Sequence, residues 1–226
     1  QSWLVLGPLR LQPSEAAKIA VAIFGAHLLA DRRSRGLGLR SPFTIFIAIG
    51  VGMTLLIMAE GDLGMAVAFA LVVGFVLIFA GVDKRWLIGL ISAGAITMVA
   101  VFAGGGFRSH RFHVYFDALF GRFTDTRGTA FQSYQGFLSL ADGSVGGVGL
   151  GQSRAKWFYL PEARNDFIFA IIGEELGLWG GALVIILFGT LGFFGLRTAL
   201  RAADHYQALV AGTLTATVVS QAFINI

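Results

Sequence analysis

The sequence contains no cysteine and only four prolines in 226 residues. Without cysteine there is no disulfide framework, no thiolate metal site and no cysteine nucleophile. So few prolines argue against a loop-rich β fold. Charge is also scarce. Asp, Glu, Lys and Arg make up 13% of the chain, against roughly 25% in a soluble domain. With 56% hydrophobic residues and a mean hydropathy of +0.75, there is too little polar surface to cover a water-facing domain. The same numbers exclude disorder. What the chain has in quantity is glycine, 31 residues of it, which suits closely packed membrane helices. The fold class read from this composition is all-α, a polytopic transmembrane helix bundle.

A helix needs about 20 apolar residues to cross the hydrocarbon core. Apolar runs predict spans at 14–30, 41–59, 63–82, 86–107, 167–196 and 206–226, within one transmembrane domain covering 1–226. The runs are continuous rather than alternating, which argues against a β-barrel. Arg32, Arg33, Arg35 and Arg40 follow the first run, Lys84 and Arg85 precede the fourth, and Arg197 and Arg201 follow the fifth. The positive-inside rule puts these links in the cytoplasm. The link 60–62 and the long loop 108–166 then face the opposite side, as do both ends of the chain. The net charge of +4 sits largely in those cytoplasmic links. No basic-aromatic ladder accompanies it, so nucleic acid is not expected as a partner.

The loop 108–166 is too long for a mere connection. Its aromatic residues, among them Phe112, Tyr115, Phe131, Tyr134 and Trp157, predict short, partly buried helices rather than disorder. Gly143, Gly146, Gly147, Gly149 and Gly151 fall within nine residues. Such a stretch either forms turns and close packing or lets the backbone approach a phosphate. Arg154 and Lys156 follow at once, as solvated cations or as ligands of a polyanion. Asp166 is the last polar residue before the fifth run. It is either a helix cap or a carboxylate base at a membrane interface.

Glu174 and Glu175 lie inside an apolar helix, where carboxylates are costly and default to functional hypotheses. At 100° per residue Glu174 lies about 80° from Asp166, and Glu175 on the opposite face. Glu174 therefore shares a side with Asp166, and Glu175 is expected to pair with another helix. The alternative is that both are structural, bonded to Arg or backbone. Ser14 reads as the N-cap of the first helix, with Glu15 in the favourable first turn. Glu15 and Lys18, three apart, can pair on one face. Asp62 reads as a cap of the third helix. His27, His110, His113 and His205 show no metal-ligand spacing.

Four blocks together give the sequence a family likeness. Residues 12–18 read Gln-Pro-Ser-Glu-x-x-Lys, and 61–64 read Gly-Asp-Leu-Gly where the family pattern has Pro-Asp-Leu-Gly. From 134 to 156 runs Tyr-Gln…Gly-x-Gly-Leu-Gly-Gln-Ser-x-x-Lys, and 160–177 read Leu-Pro-Glu-Ala-x-x-Asp-Phe-Ile-Phe…Gly-Glu-Glu-Leu-Gly. The chain resembles the SEDS family of bacterial cell-wall polymerases (shape, elongation, division and sporulation), and within it the cell-division branch. Members have ten spans. The resemblance implies that helices four to nine are present here, without the first three and the last, so the chain is expected to be part of a larger protein.

The resemblance implies peptidoglycan glycosyl transfer from lipid II, an undecaprenyl-diphosphate-linked disaccharide pentapeptide, at the bacterial plasma membrane and the division septum. Asp166 matches the family's essential aspartate and is expected to act as general base in an inverting transfer. Arg108, Arg111, Gln152, Arg154 and Lys156 are expected to hold the lipid diphosphate, with Glu15, Lys18, Asp62, Glu174 and Glu175 in support. No cofactor is required by the pattern. A divalent cation (Mg or Mn) could share the leaving-group role, with Asp166 or Glu15 as ligand. A class B penicillin-binding transpeptidase and other membrane proteins of the division machinery are the expected partners. A lipid II flippase and a non-catalytic division scaffold are the alternative functions.

Overall fold

The computed structural model describes residues 4–6, 9–31, 41–103, 131–154 and 167–226. The apolar runs form helices because a chain without water must satisfy its own backbone. They are α1 (Pro13–Leu29), α2 (Pro42–Ala59), α3 (Leu63–Phe79), α4 (Lys84–Ala103), α5 (Phe131–Gly143), α6 (Ile168–Leu200) and α7 (His205–Asn225). Helix α5 lies inside the segment read as a loop with short helices. Ahead of α1 a small hairpin pairs β1 (Leu4–Leu6) with β2 (Leu9–Leu11), Leu4 opposite Leu11. Nothing in the apolar pattern had marked it. Three helices, α2, α6 and α7, are long and apolar enough to cross a membrane among the described residues. Helices α1 and α3 have 17 residues each, about 26 Å of helix at 1.5 Å per residue.

Local chemistry sets the helix ends. Pro13 occupies the first turn of α1 and Gln12 is the N-cap in extended conformation, with no side-chain bond. Ser14 is therefore inside the helix and not its cap. The fixed φ of proline suits the first helical position, so the cap is Gln12, two residues upstream of Ser14. Ser41 caps α2 by accepting from the Thr44 N–H at 3.2 Å. Asp62 caps α3 by accepting from the Met65 N–H at 2.9 Å. Between them Gly61 has φ 92 and donates its N–H to Met58 O at 3.0 Å. Proline, which stands there in the family pattern, has neither that φ nor a donor.

The chain divides into two compact units, 1–90 with 189–221, and 91–188 with 222–226. The core of the first is built by α1, α2 and α3, with Leu209 of α7 joining it. Phe46 and Phe69 are fully buried there. Lipid tails are as apolar as this core, so burial alone does not hold membrane helices together; close packing does. Gly25 of α1 provides that closeness, because Phe46 of α2 and Val76 of α3 fill the space its missing side chain leaves. Gly212 of α7 admits the ring of Phe79 in the same way. In the second unit, Ile91, Ile96 and Val99 of α4 are exposed, as are Leu178, Trp179, Ile185 and Leu187 of α6. A helix apolar around its circumference belongs in lipid.

This packing predicts a contrast between two glycines. In Gly25→Ala the new Cβ would stand 2.8 Å from Phe46 Cζ and from Val76 Cγ1, and overpacking of this kind costs about 1–3 kcal/mol. Gly74 of α3 has nothing within 4 Å of such a Cβ, so Gly74→Ala should be neutral or stabilise by up to about 1 kcal/mol. Thermal unfolding in detergent should show a lower Tm for Gly25→Ala alone.

Candidate functional site

Helix α5 ends at Gly143, and the chain then turns through Ser144, Gly147, Gly149 and Gly151, all at positive φ. The turn lies against the first half of α6. It does so because α6 is broken: Gly177 sits at φ 66, ψ −158 in the middle of the helix. An intact helix would bond the Leu178 N–H to Glu174 O, and the next N–H to Glu175 O. Here Leu178 N–H donates to Ser144 O at 3.0 Å. Glu174 O accepts from Val148 N–H at 2.9 Å, and Glu175 O from Gly149 N–H at 3.1 Å. The loop thus takes up groups that the break sets free. Each such bond is worth only about 0.5–1.5 kcal/mol net, but leaving the group unmet in an apolar setting costs about 1–3 kcal/mol.

Backbone lies directly on backbone at this junction. A Cβ at Gly143 would strike Gly173 O, one at Gly147 would strike Glu175 O, and one at Gly177 would strike Gly147 N. Within the glycine cluster, Gly143 and Gly147 thus serve the close approach of loop to helix, whereas a Cβ at Gly146 or Gly151 would meet nothing within 4 Å.

The side chain of Glu174 completes the junction. It is 2% exposed. Its Oε2 accepts from Ser153 Oγ at 2.6 Å and its Oε1 from the Arg154 N–H at 2.9 Å. Ser153 is itself 1% exposed, whereas Gln152 and Arg154 on either side of it have exposed side chains. The Gln152 N–H donates to Gly149 O at 3.1 Å. The arrangement pins Ser153 inward and leaves Gln152 and Arg154 exposed on either side of it. The side chain of Glu175 is half-buried.

Of the residues expected at the site, Asp166, Arg108, Arg111 and Lys156 lie outside the described residues. Glu15 and Lys18 belong to the first unit. Lys18, 3% exposed, donates to Glu15 at 2.9 Å and to Gln221 Oε1 of α7 at 3.0 Å. A buried ammonium needs such partners, since an unpaired one is strongly destabilising. Among the described residues nothing bonds the buried Ser14 hydroxyl one turn away. Asp62 serves as the α3 cap. Ser153 and Gln221 were not singled out from the sequence. Ser153 lies within the Gly-Leu-Gly-Gln-Ser block, but Gln221 is 203 residues from Lys18 and carries no local signal. Among the described residues no group of three His, Asp or Glu side chains could hold a metal ion.

A family model described as Cell cycle protein, for FtsW, RodA and SpoVE, matches residues 1–226. The probable peptidoglycan glycosyltransferase FtsW of Mycobacterium tuberculosis H37Rv is 40% identical over 226 residues, 100% of this chain and 42% of that protein. Stage V sporulation protein E of Bacillus subtilis 168 is 34% identical over 226 residues, 100% of this chain and 61% of that protein. The chain thus spans about two fifths of the mycobacterial relative. A chain from a peptidoglycan synthase complex that coordinates polymerization and crosslinking superposes with a TM-score of 0.74 at 22% identity, covering 100% of this chain and 61% of that one. A mutant of the rod shape determining protein RodA from Thermus thermophilus gives 0.61 at 21% identity, covering 100% and 56%. At these identities the two structures speak for the fold.

The junction predicts its own sensitivity. Gly177→Ala places a side chain at φ 66 and against the loop backbone, and should cost roughly 1–3 kcal/mol. Gly151 has φ 79 but open space around it, so Gly151→Ala should cost only the left-handed strain, about 1–2 kcal/mol at most. Unfolding midpoints of the two variants in the same detergent should differ in that order.

Proposed function

Because the chain belongs to the SEDS family, the FtsW/RodA/SpoVE cell cycle proteins, and is a membrane protein by its apolar helices, we propose that it carries the catalytic part of a peptidoglycan glycosyltransferase. The reaction is polymerisation of lipid II into glycan strands during cell division. The observation that carries this reading is 40% identity, along the entire chain, to proteins named probable peptidoglycan glycosyltransferase FtsW.

Asp166 is the general base. Its carboxylate takes the proton of the acceptor sugar hydroxyl. The hydroxyl oxygen forms a bond to the anomeric carbon of the donor, and the bond from that carbon to the diphosphate breaks. The electron pair leaves with undecaprenyl diphosphate, and the α-linked donor becomes a β-linked glycan. Arg108, Arg111, Gln152, Arg154 and Lys156 hold the diphosphate; the exposure of Gln152 and Arg154 beside the buried Ser153 supports that role. The loop faces the extracytoplasmic side at the septum. A class B penicillin-binding transpeptidase cross-links the product nearby, a pairing supported by the neighbour from a complex of polymerization and crosslinking.

Two outcomes test this. General-base assistance contributes on the order of 10²–10⁴ in rate, whereas loss of a helix cap costs about 1 kcal/mol. Asn caps as well as Asp. The full-length Asp166→Asn protein should therefore fold, bind lipid II and make almost no glycan; near-normal polymerisation would end the catalytic assignment. A charge-assisted contact is worth about 1.5–3 kcal/mol. Neutralising Arg154 or Lys156 should then weaken lipid II use roughly 10- to 150-fold if that residue touches the diphosphate. Turnover unchanged by neutral substitutions at all four cations would refute the diphosphate site. Translocation of lipid II without polymer would make the protein a flippase.

A further inference from the structure

We infer that Glu174 is a positioning residue for the diphosphate-binding loop, acting as a double hydrogen-bond acceptor and not through its charge or its proton. The inference rests on the function proposed above, in which Gln152 and Arg154 meet the substrate.

The loop from Ser144 to Arg154 is fastened to α6 in two places. At its start, three backbone bonds at the Gly177 break join Ser144, Val148 and Gly149 to Leu178, Glu174 and Glu175. These fix 144–149 but leave the following turn dependent on something else. The Glu174 carboxylate supplies it, with Ser153 Oγ on one oxygen and the Arg154 N–H on the other. Glu174 therefore binds the loop twice, by its carbonyl at Val148 and by its side chain at Ser153 and Arg154. Its side chain is too buried to meet a substrate directly. Both of its bonds are donated by the loop, one to each carboxyl oxygen, so the side chain acts as an acceptor at both. The residues it steadies are those whose side chains are exposed. Gln152 precedes the pinned serine, and Arg154 carries the pinned amide.

The same geometry shows what the position requires. A glutamine could accept from the Arg154 N–H through its carbonyl oxygen and donate its amide to Ser153 Oγ. It would keep both contacts and lose only the charge. An alanine would lose both. Misplacing a binding group by about 1 Å can cost on the order of 10²-fold.

The test uses the full-length protein with lipid II at varied concentration, comparing wild type, Glu174→Ala, Glu174→Gln and Ser153→Ala. The expected result is a loss of roughly 10- to 100-fold in kcat/KM for Glu174→Ala, carried mainly by KM. Ser153→Ala should be intermediate, and Glu174→Gln should recover activity to within about fivefold of wild type. In parallel, trypsin cleavage after Arg154 under native conditions is followed by mass spectrometry. It should accelerate roughly tenfold in Glu174→Ala and little in Glu174→Gln, since cleavage of a folded segment tracks its local opening. If Glu174→Gln is as impaired as Glu174→Ala, the charge itself matters and the inference is overturned. If Glu174→Ala lowers only the active fraction, with KM unchanged, the residue is merely structural and the inference is again overturned. Should wild type form no glycan, the proposed function fails, and the cleavage rates still decide the positioning. Faster cleavage in Glu174→Ala alone sustains it, and equal rates refute it.

Discussion

A helix in an apolar environment can break only where something replaces its lost hydrogen bonds. Helix α6 breaks at Gly177, and the substitute is the glycine-rich loop. That exchange ties two of the segments bearing the family motifs, 134–156 and 160–177, to one another. The loop supplies donors from Val148 and Gly149 and an acceptor from Ser144, and α6 supplies the reciprocal groups. The glycines follow from it, because a Cβ at Gly143, Gly147 or Gly177 would collide with the opposite backbone. The burial of Glu174 follows as well, since its carboxylate lies where the loop returns across the helix. The loop's fixed shape is thus a consequence of a helix defect.

The first unit solves a different problem. Its helices gain little from burial against one another, because lipid would cover them as well. They interlock by shape, with Phe46 seated against Gly25 and Phe79 against Gly212. Polar groups add direction. Lys18 is buried yet reaches Glu15 on its own helix and Gln221 on α7. It thereby joins the Gln-Pro-Ser-Glu segment to the last helix of the chain.

Much of this was legible in the sequence. Hydropathy placed every described helix except α5, and Asp62 and the Glu15–Lys18 pair are where capping and i, i+3 spacing put them. The break in α6 was not legible. The helix also contains Gly173, Gly180, Gly181, Gly189, Gly192 and Gly195, and glycine is common in membrane helices without breaking them. Which one is at positive φ depends on the loop that packs there. The angular reading set Glu174 beside Asp166, but local periodicity could not see that Ser153, 21 residues upstream, takes the carboxylate. Ser14 matched the capping pattern until Pro13 is considered, since proline claims the first helical position. Asp166, the proposed general base, lies outside the described residues, and its assignment stands on the motif around it.

The central claim is that the loop replaces the helical bonds lost at Gly177. Residue-resolved amide hydrogen exchange of the wild-type protein in lipid nanodiscs tests it most directly. If the claim holds, the amides of Leu178, Val148 and Gly149 are all protected, and Gly177→Ala lowers the protection of the three together. Free exchange at Val148 and Gly149 beside a protected Leu178 would mean that α6 runs unbroken and the loop lies elsewhere, which would contradict the account.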